Sequence, residues 1–271
     1  MIEFGNGRVF IDVGTGCGNS CQYCYVNEKD KPQSTISENQ FQSETKRLIE
    51  DHRFNPGVTV VSFCPHTEPF KTSASIERLL LAIKILAPFK NVIQIATKEI
   101  IPATFLEKVK KLVEPNQLVI FISISCFLQS QKVEPYAAEY RLRLANIKLC
   151  HNYGVRNVLY LKPFLLSDED VKILPSILKA CQPDAICIGI VYSKDDMGEF
   201  HHPTNKEMRS SGATNNMLRC AEMIRQFSTS PVFLNSTCAN CYFFSSINHT
   251  DIPQVLCVKC NPICFERKWN I

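Results

Sequence analysis

Nowhere in the 271 residues does an apolar run approach the roughly 20 that a membrane-spanning helix needs, so no membrane is an expected partner. The opening residues, MIEFGNGRVFID, lack the basic flank and apolar stretch of a signal peptide, and the expectation is a cytoplasmic protein. Strong charge of either sign is missing as well. With 30 Lys plus Arg against 26 Asp plus Glu, the formal charge of +4 permits a polyanionic substrate without demanding one. There is no repeat of fixed period and no low-complexity linker, which argues against a solenoid or a string of tethered domains. What is present is a 45% hydrophobic content, enough for one α/β domain of barrel size or two small ones, and 14 cysteines. In a reducing compartment such cysteines read as metal ligands or buried apolar residues ahead of disulfides.

Short β-branched runs alternate with longer amphipathic ones. Predicted strands are 9–13, 58–63, 91–96, 118–123, 157–161, 185–191 and 231–234. Predicted helices are 37–51, 75–86, 102–113, 140–152, 168–180 and 214–227, with Ser37 as N-cap, Pro102 in a first turn and Gly154 as C-cap. Repeated βα units imply a parallel sheet, and six or seven of them match a closed or partly open βα barrel. In such barrels catalytic residues gather at the carboxyl ends of the strands. After Asn235 the character changes to a cysteine-bearing tail with little periodicity, giving a predicted division into a barrel, 1–235, and a small extension, 236–271.

Directly after the first predicted strand the chain reads Gly14-Thr15-Gly16-Cys17-Gly18-Asn19-Ser20-Cys21-Gln22-Tyr23-Cys24-Tyr25, a C-x3-C-x2-C spacing on a glycine-rich loop. Three thiolates suit three irons of a [4Fe–4S] cluster and leave the fourth open to another ligand. A zinc knuckle lacking its fourth ligand, or three unrelated loop cysteines, are the plainer alternatives. Six other cysteines, Cys64, Cys126, Cys150, Cys181, Cys187 and Cys220, fall in apolar or amphipathic segments and read as buried residues.

This loop resembles the signature of the radical S-adenosylmethionine (SAM) superfamily, whose fold is a partial (β/α)6 TIM barrel. The resemblance implies that SAM chelates the open iron and is cleaved reductively to a 5′-deoxyadenosyl radical, which abstracts hydrogen from substrate. It also implies a reducing donor such as flavodoxin or ferredoxin. Over about 150 residues the chain is similar to the spore photoproduct lyase and DNA-repair-photolyase-like branch. Tyr23 and Tyr25 match tyrosines linked there to radical transfer. The run Phe63-Cys64-Pro65-His66-Thr67-Glu68-Pro69-Phe70 is comparable to the branch's Thr-Asp-Pro-Tyr loop, which makes Glu68 the partner of the SAM ammonium. Thr97-Lys98 matches a pair whose lysine binds the SAM carboxylate. Ser123-Ile124-Ser125 resembles a SAM-contacting pattern, and Glu134-Pro135 with Arg141-Leu142 resembles the segment that opens the next helix. Pro163 and Tyr192 are expected walls for adenine or substrate.

Cys64 is comparable to the hydrogen-returning cysteine of the lyases, or else is a small buried residue. The loop departs from the lyase pattern by His66 and one further residue, and Phe70-Lys71-Thr72 replaces the expected continuation. A nucleic-acid base lesion or modification is therefore the expected substrate, without commitment to a thymine dimer. Peptide or small-metabolite modification is the rival reading, and a cluster-bearing protein without turnover is a third.

The tail carries Cys238-x2-Cys241-x15-Cys257-x2-Cys260-x3-Cys264, a spacing that suits structural zinc or a second [4Fe–4S] cluster equally. His201-His202-Pro203 reads as a surface loop, while Lys108, Lys110, Lys111, Arg141, Arg143 and Lys148 read as solvated helix faces.

Overall fold

The computed structural model describes residues 2–5, 8–26, 30–189, 193–194, 200–201, 212–234 and 236–244. An N-terminal hairpin, β1 (Ile2–Gly5) and β2 (Arg8–Ile11), starts an eight-stranded sheet. It continues through β3 (Val60–Phe63), β4 (Ile93–Thr97), β5 (Leu118–Ser123), β6 (Arg156–Leu161) and β7 (Ala185–Ile188). A short antiparallel pair follows, β8 (Ser193–Lys194) and β9 (Phe200–His201), and then β10 (Val232–Phe233). The order is β1-β2-β3-β4-β5-β6-β7-β10, with β2 through β10 parallel. No ladder among the described residues joins β10 back to β1, so the α/β sheet is a partial, open barrel.

The helices between the strands are α1 (Glu38–Glu50), α2 (Ser73–Leu86), α3 (Ala103–Val109), α4 (Ser130–Val133), α5 (Tyr140–Tyr153), α6 (Asp168–Cys181) and α7 (Gly212–Phe227). Their ends follow local chemistry. Ser37 accepts from the Gln40 backbone at the start of α1, and Gly154, at φ 67°, closes α5 in the left-handed region. Ser167 and Asp170 form a capping box on α6. Thr72 caps α2, which starts at Ser73, two residues before the predicted start, and Pro102 is itself the cap of a shorter α3.

Strand alternation sorts the core into two layers. Val9, Ile11, Val61, Phe63, Ile93, Ile95, Ile120, Ile122, Leu159, Leu161, Ile186 and Ile188 face the helices. Val60, Val92, Val119, Phe121, Val158, Ala185 and Cys187 form the other layer, near the amino ends of the strands. That layer is covered by α8 (Ser236–Phe244), which contributes Cys238, Ala239, Phe243 and Phe244. No helical stripe is legible here because this helix is apolar over most of its surface. The segment expected to begin a separate extension thus packs into the sheet's concave side, and residues 245–271 lie outside the described residues. A polar layer sits above it, where Arg8 and Asn240 both donate to Gln94 Oε1, at 3.0 and 2.6 Å. No helix among the described residues is long and apolar enough to cross a membrane.

Candidate active site

The polar residues picked out from sequence collect at the carboxyl ends of β2 to β6. The cysteine loop leaves β2 and folds back on itself, with Thr15 and Ser34 exchanging two backbone hydrogen bonds of 2.9 Å. Only glycine fits at position 14, where a Cβ would lie 1.9 Å from the Ser34 carbonyl oxygen, and Gly16 adopts φ 71°. Gln22 fastens the loop to α4, its backbone N–H donating to Val133 O at 3.0 Å. Lys71 holds the loop from the other side: its Nζ reaches Asn19 Oδ1 at 2.7 Å, Glu99 Oε1 at 2.7 Å and Tyr136 O at 2.6 Å.

Within this frame Cys21 is buried and Cys17 and Cys24 are half-buried. Burial pushes the Cys17 thiol up to about 12, with Glu68 and the neighbouring cysteines adding to it. Cys21 is pushed to about 11, again chiefly by burial. The three groups are near enough to repel one another as thiolates, so ionising all of them requires a cation. Among the described residues no three His, Cys, Asp or Glu side chains converge as ligands of one ion would. A cube of iron and sulfide asks instead for thiolates spaced around its corners, and three soft donors on a close-fitting loop fit that group.

Beside the loop lie two charges in series. Glu68, 4% exposed, is held by the Thr97 hydroxyl, by Phe70 N–H at 3.4 Å and by Lys98 N–H at 2.9 Å. Those donors are outweighed by burial, which raises its carboxyl to about 7. The Lys98 ammonium donates to Ser123 Oγ at 2.5 Å, pairs with Glu134 Oε1 at 3.1 Å and lies 5.5 Å from the Tyr23 ring centroid. Glu134 also accepts from the Tyr23 phenol and, at 2.7 Å, from Ser125. Behind it Arg143 Nη1 stands 2.7 Å from Glu134 Oε2 and donates to Ser123 O at 2.8 Å. Burial works against the Glu134 anion, yet Lys98, Arg143, Tyr23 and Ser125 together bring its carboxyl down to about 2.

One reading needs correction here. Arg143, expected on a solvated face, is fully buried, because position 143 shares its helix face with Asn146, Ile147 and Cys150. Arg141, matched above to the segment opening the helix, has a side chain 74% exposed, as expected of a solvated face, and reaches Glu139 at 3.6 Å and the Tyr140 ring centroid at 5.5 Å. Arg143 is the residue that meets Glu134.

A third group surrounds Cys64, which takes a left-handed φ of 60° at the end of β3. Burial, then Asp12, pushes its thiol well above its ordinary range, so it remains S–H near neutrality. Asp12 accepts from His66 N at 3.0 Å and Thr67 Oγ1 at 2.9 Å, and its Oδ2 lies 2.8 Å from His66 Nδ1. Tyr25 donates to Pro65 O at 3.1 Å and meets the His66 ring edge-on at 6.0 Å. Pro163 is buried next to the site, with Lys162 O accepting from Ser123 Oγ at 3.2 Å.

Tyr192, Cys257, Cys260 and Cys264 lie outside the described residues, as do His202 and Pro203. Cys238 is buried in the layer near the amino ends of the strands, whereas the cysteine loop lies at their carboxyl ends, and Cys241 follows one turn later on α8. Lys108, Lys110, Lys111 and Lys148 are exposed as expected. Asp12, Lys71 and Arg143 are site residues that sequence reasoning missed. A charged residue on the apolar stripe of α5 was the available signal for Arg143.

No family model and no curated protein matches the chain. Its fold, however, is found in solved structures. SuiB of Streptococcus suis bound to S-adenosylmethionine superposes with TM-score 0.58 at 13% identity, over 89% of this chain and 52% of SuiB. SuiB bound to its precursor peptide SuiA gives 0.59 at 14%, over 93% and 54%. A spore photoproduct lyase variant with bound AdoMet and dinucleoside spore photoproduct gives 0.60 at 14%, over 83% and 75%. The chain therefore spans about half the length of SuiB and three quarters of the lyase, and the likeness is one of fold.

Proposed function

We propose that this chain is a radical SAM enzyme. One observation carries the reading: a buried carboxylate held only by neutral donors, Glu68, and an ammonium, Lys98, sit side by side next to three cysteines. An α-amino acid is the zwitterion that matches this pair, its ammonium on Glu68 and its carboxylate on Lys98. Cys17, Cys21 and Cys24 would hold a [4Fe–4S] cluster, which supplies the electron that cleaves SAM to a 5′-deoxyadenosyl radical. The protein's own part is to fix both ends of the amino-acid group, to contact SAM through Ser123 and Ser125, to wall its adenine ring with Pro163, and to keep water out. Tyr192, outside the described residues, belongs to the same proposed wall.

For the substrate we favour a nucleic-acid base lesion or modification, supported by the resemblance and by Cys64, whose persistently protonated thiol suits hydrogen donation to a carbon radical. Tyr25 lies on the Cys64 side of the site, near His66, while Tyr23 is tied to Glu134 and Ser125. A peptide substrate is the second reading, favoured by the fold shared with SuiB in complex with SuiA. A small one-electron carrier such as flavodoxin or ferredoxin is the proposed donor, in the cytoplasm. The C-terminal cysteines are a proposed second site for zinc or iron–sulfur, and no step is derived through them, because Cys238 packs near the amino ends of the strands, away from the loop that carries Cys17, Cys21 and Cys24.

Anaerobically reconstituted protein is expected to bind SAM and, with reductant, to release 5′-deoxyadenosine, whereas C21A should release none. Product from C21A, or failure of the reconstituted protein to bind SAM, overturns the reading. Turnover of irradiated DNA with steep salt dependence supports the base substrate, and turnover of a peptide alone replaces it.

A further inference from the structure

Glu134 plays no part in the amino-acid pairing just described, yet it is the most heavily engaged group in the site. It is fully buried, at 0% exposure, and so is Arg143 behind it. Its Oε1 takes Lys98, Tyr23 and Ser125 at once, while Oε2 faces Arg143 Nη1 at 2.7 Å. The latter is an ion contact more than an aligned hydrogen bond, since Oε2 and Arg143 Nε and Nη2 all lack hydrogen-bond partners. Charge and packing hold the two together. A buried cation so placed keeps the carboxylate ionised where burial alone would protonate it.

Counting charge across the three groups gives one anion, Glu134, and two cations, Arg143 and Lys98. One positive charge is left over, and it falls on Lys98, the member nearest solvent, at 17% side-chain exposure. The Lys98 side chain is long and flexible, and freezing such a chain costs entropy unless something fixes its end. Three contacts do so: Ser123 Oγ, Glu134 Oε1 and the Tyr23 ring face, the last itself fixed by Glu134 through its phenol.

We propose that Glu134, seated on Arg143, is a positioning residue that holds the Lys98 ammonium and the Tyr23 ring in the one arrangement that receives a ligand's α-carboxylate. The surplus charge is thereby aimed before the ligand arrives, and recognition of the carboxylate is pre-organised. This rests on the assignment of Lys98 to the SAM carboxylate, so the test separates the two.

The probes are SAM and decarboxylated SAM, their dissociation constants measured by calorimetry on the reconstituted full chain. The dissociation constant of decarboxylated SAM divided by that of SAM reports carboxylate recognition and cancels any general loosening of the site. K98M is expected to reduce the ratio roughly tenfold, the scale of one charged hydrogen bond. E134Q, nearly isosteric, is expected to reduce it almost as far, and to have no further effect on the ratio in a K98M background, because it acts through Lys98. R143K, which keeps the charge, should retain more of the ratio than R143M. If E134Q does not fold, E134D withdraws the carboxylate by one methylene and is expected to lower the ratio too. An unchanged ratio in E134Q or E134D, with K98M still affected, overturns the proposal. A ratio unchanged in K98M as well overturns the assignment of Lys98 beneath it.

Discussion

Two buried carboxylates flank Lys98, and the regions around them behave oppositely. Glu68, in the loop after β3, meets a hydroxyl and two backbone N–H groups, and burial carries its carboxyl up to about 7. Glu134, behind β5, is at least as deeply buried, yet Lys98, Arg143 and two hydroxyls bring it down to about 2. Depth is shared, so depth does not explain the difference; a partner cation does. The protein completes the charge around Glu134 and leaves Glu68 with neutral donors alone. In the proposed reading, one carboxylate belongs to the frame and the other to the binding site.

Breaking the frame should have the largest effect. R143M removes the buried cation from Glu134 Oε2 and leaves that oxygen facing an apolar side chain, and is expected to cost about 3–5 kcal/mol in urea unfolding. A loss below about 1 kcal/mol would mean that Glu134 protonates or finds water there, and the contrast between the two regions would disappear.

The next effect is one of pH. In metal-free protein the raised Glu68 carboxyl means that the fold keeps a proton which the unfolded chain has released between about pH 4.5 and 7. Its contribution to stability therefore falls as pH climbs through that window, by on the order of 3 kcal/mol, and is level above it. E68Q should remove this slope whatever it does to the level. Glu134 has the opposite sign: its contribution is present above about pH 4.5 and is lost as pH falls towards 2. If wild type and E68Q show parallel profiles from pH 4.5 to 7, Glu68 is ordinarily solvated and the comparison fails.

The contrast between the carboxylates also marks how much was legible in sequence. The cysteine triplet could be read from its spacing on a glycine-rich loop after a predicted strand, Glu68 and Lys98 came only with the resemblance of their loops to a known family, and the parallel sheet followed from alternating periodicities. Arg143 could not be read in the same way. Arg141 and Arg143 lie two positions apart on one helix, about 200° around its axis, and tertiary packing alone decides which faces the sheet. Lys71 was visible only as a departure from a pattern, since its three partners come from three separate loops. Helix α8 was missed because binary patterning detects a helix with one wet face, and this one buries Cys238, Ala239, Phe243 and Phe244.

Lys71 supplies the next test, because it is part of the frame although it touches neither carboxylate of the comparison. Losing one charge-assisted strut among the Asn19, Glu99 and Tyr136 loops should cost K71M about 1–3 kcal/mol. Iron should also leave the reconstituted variant faster under a chelator. Unchanged iron loss would show that the glycine loop and the Thr15–Ser34 pairing fix the cysteines by themselves.

The smallest effect concerns Asp12, a third buried acid, which shares itself between neutral donors and a titratable ring. Its hydrogen bond to His66 Nδ1 raises that imidazole above its ordinary value, and the half-exposed ring tempers the effect. The stability this confers is complete below the ordinary histidine value and is lost as pH rises through the raised one. In D12N the His66 titration followed by NMR should move down, and the alkaline loss should flatten by less than about 1 kcal/mol. An unmoved titration would place the source of the shift in Glu3, the other acid acting on the ring. Asp12 would then belong with Glu134, as an acid that builds the frame, and Glu68 would be left as the acid whose charge awaits a ligand.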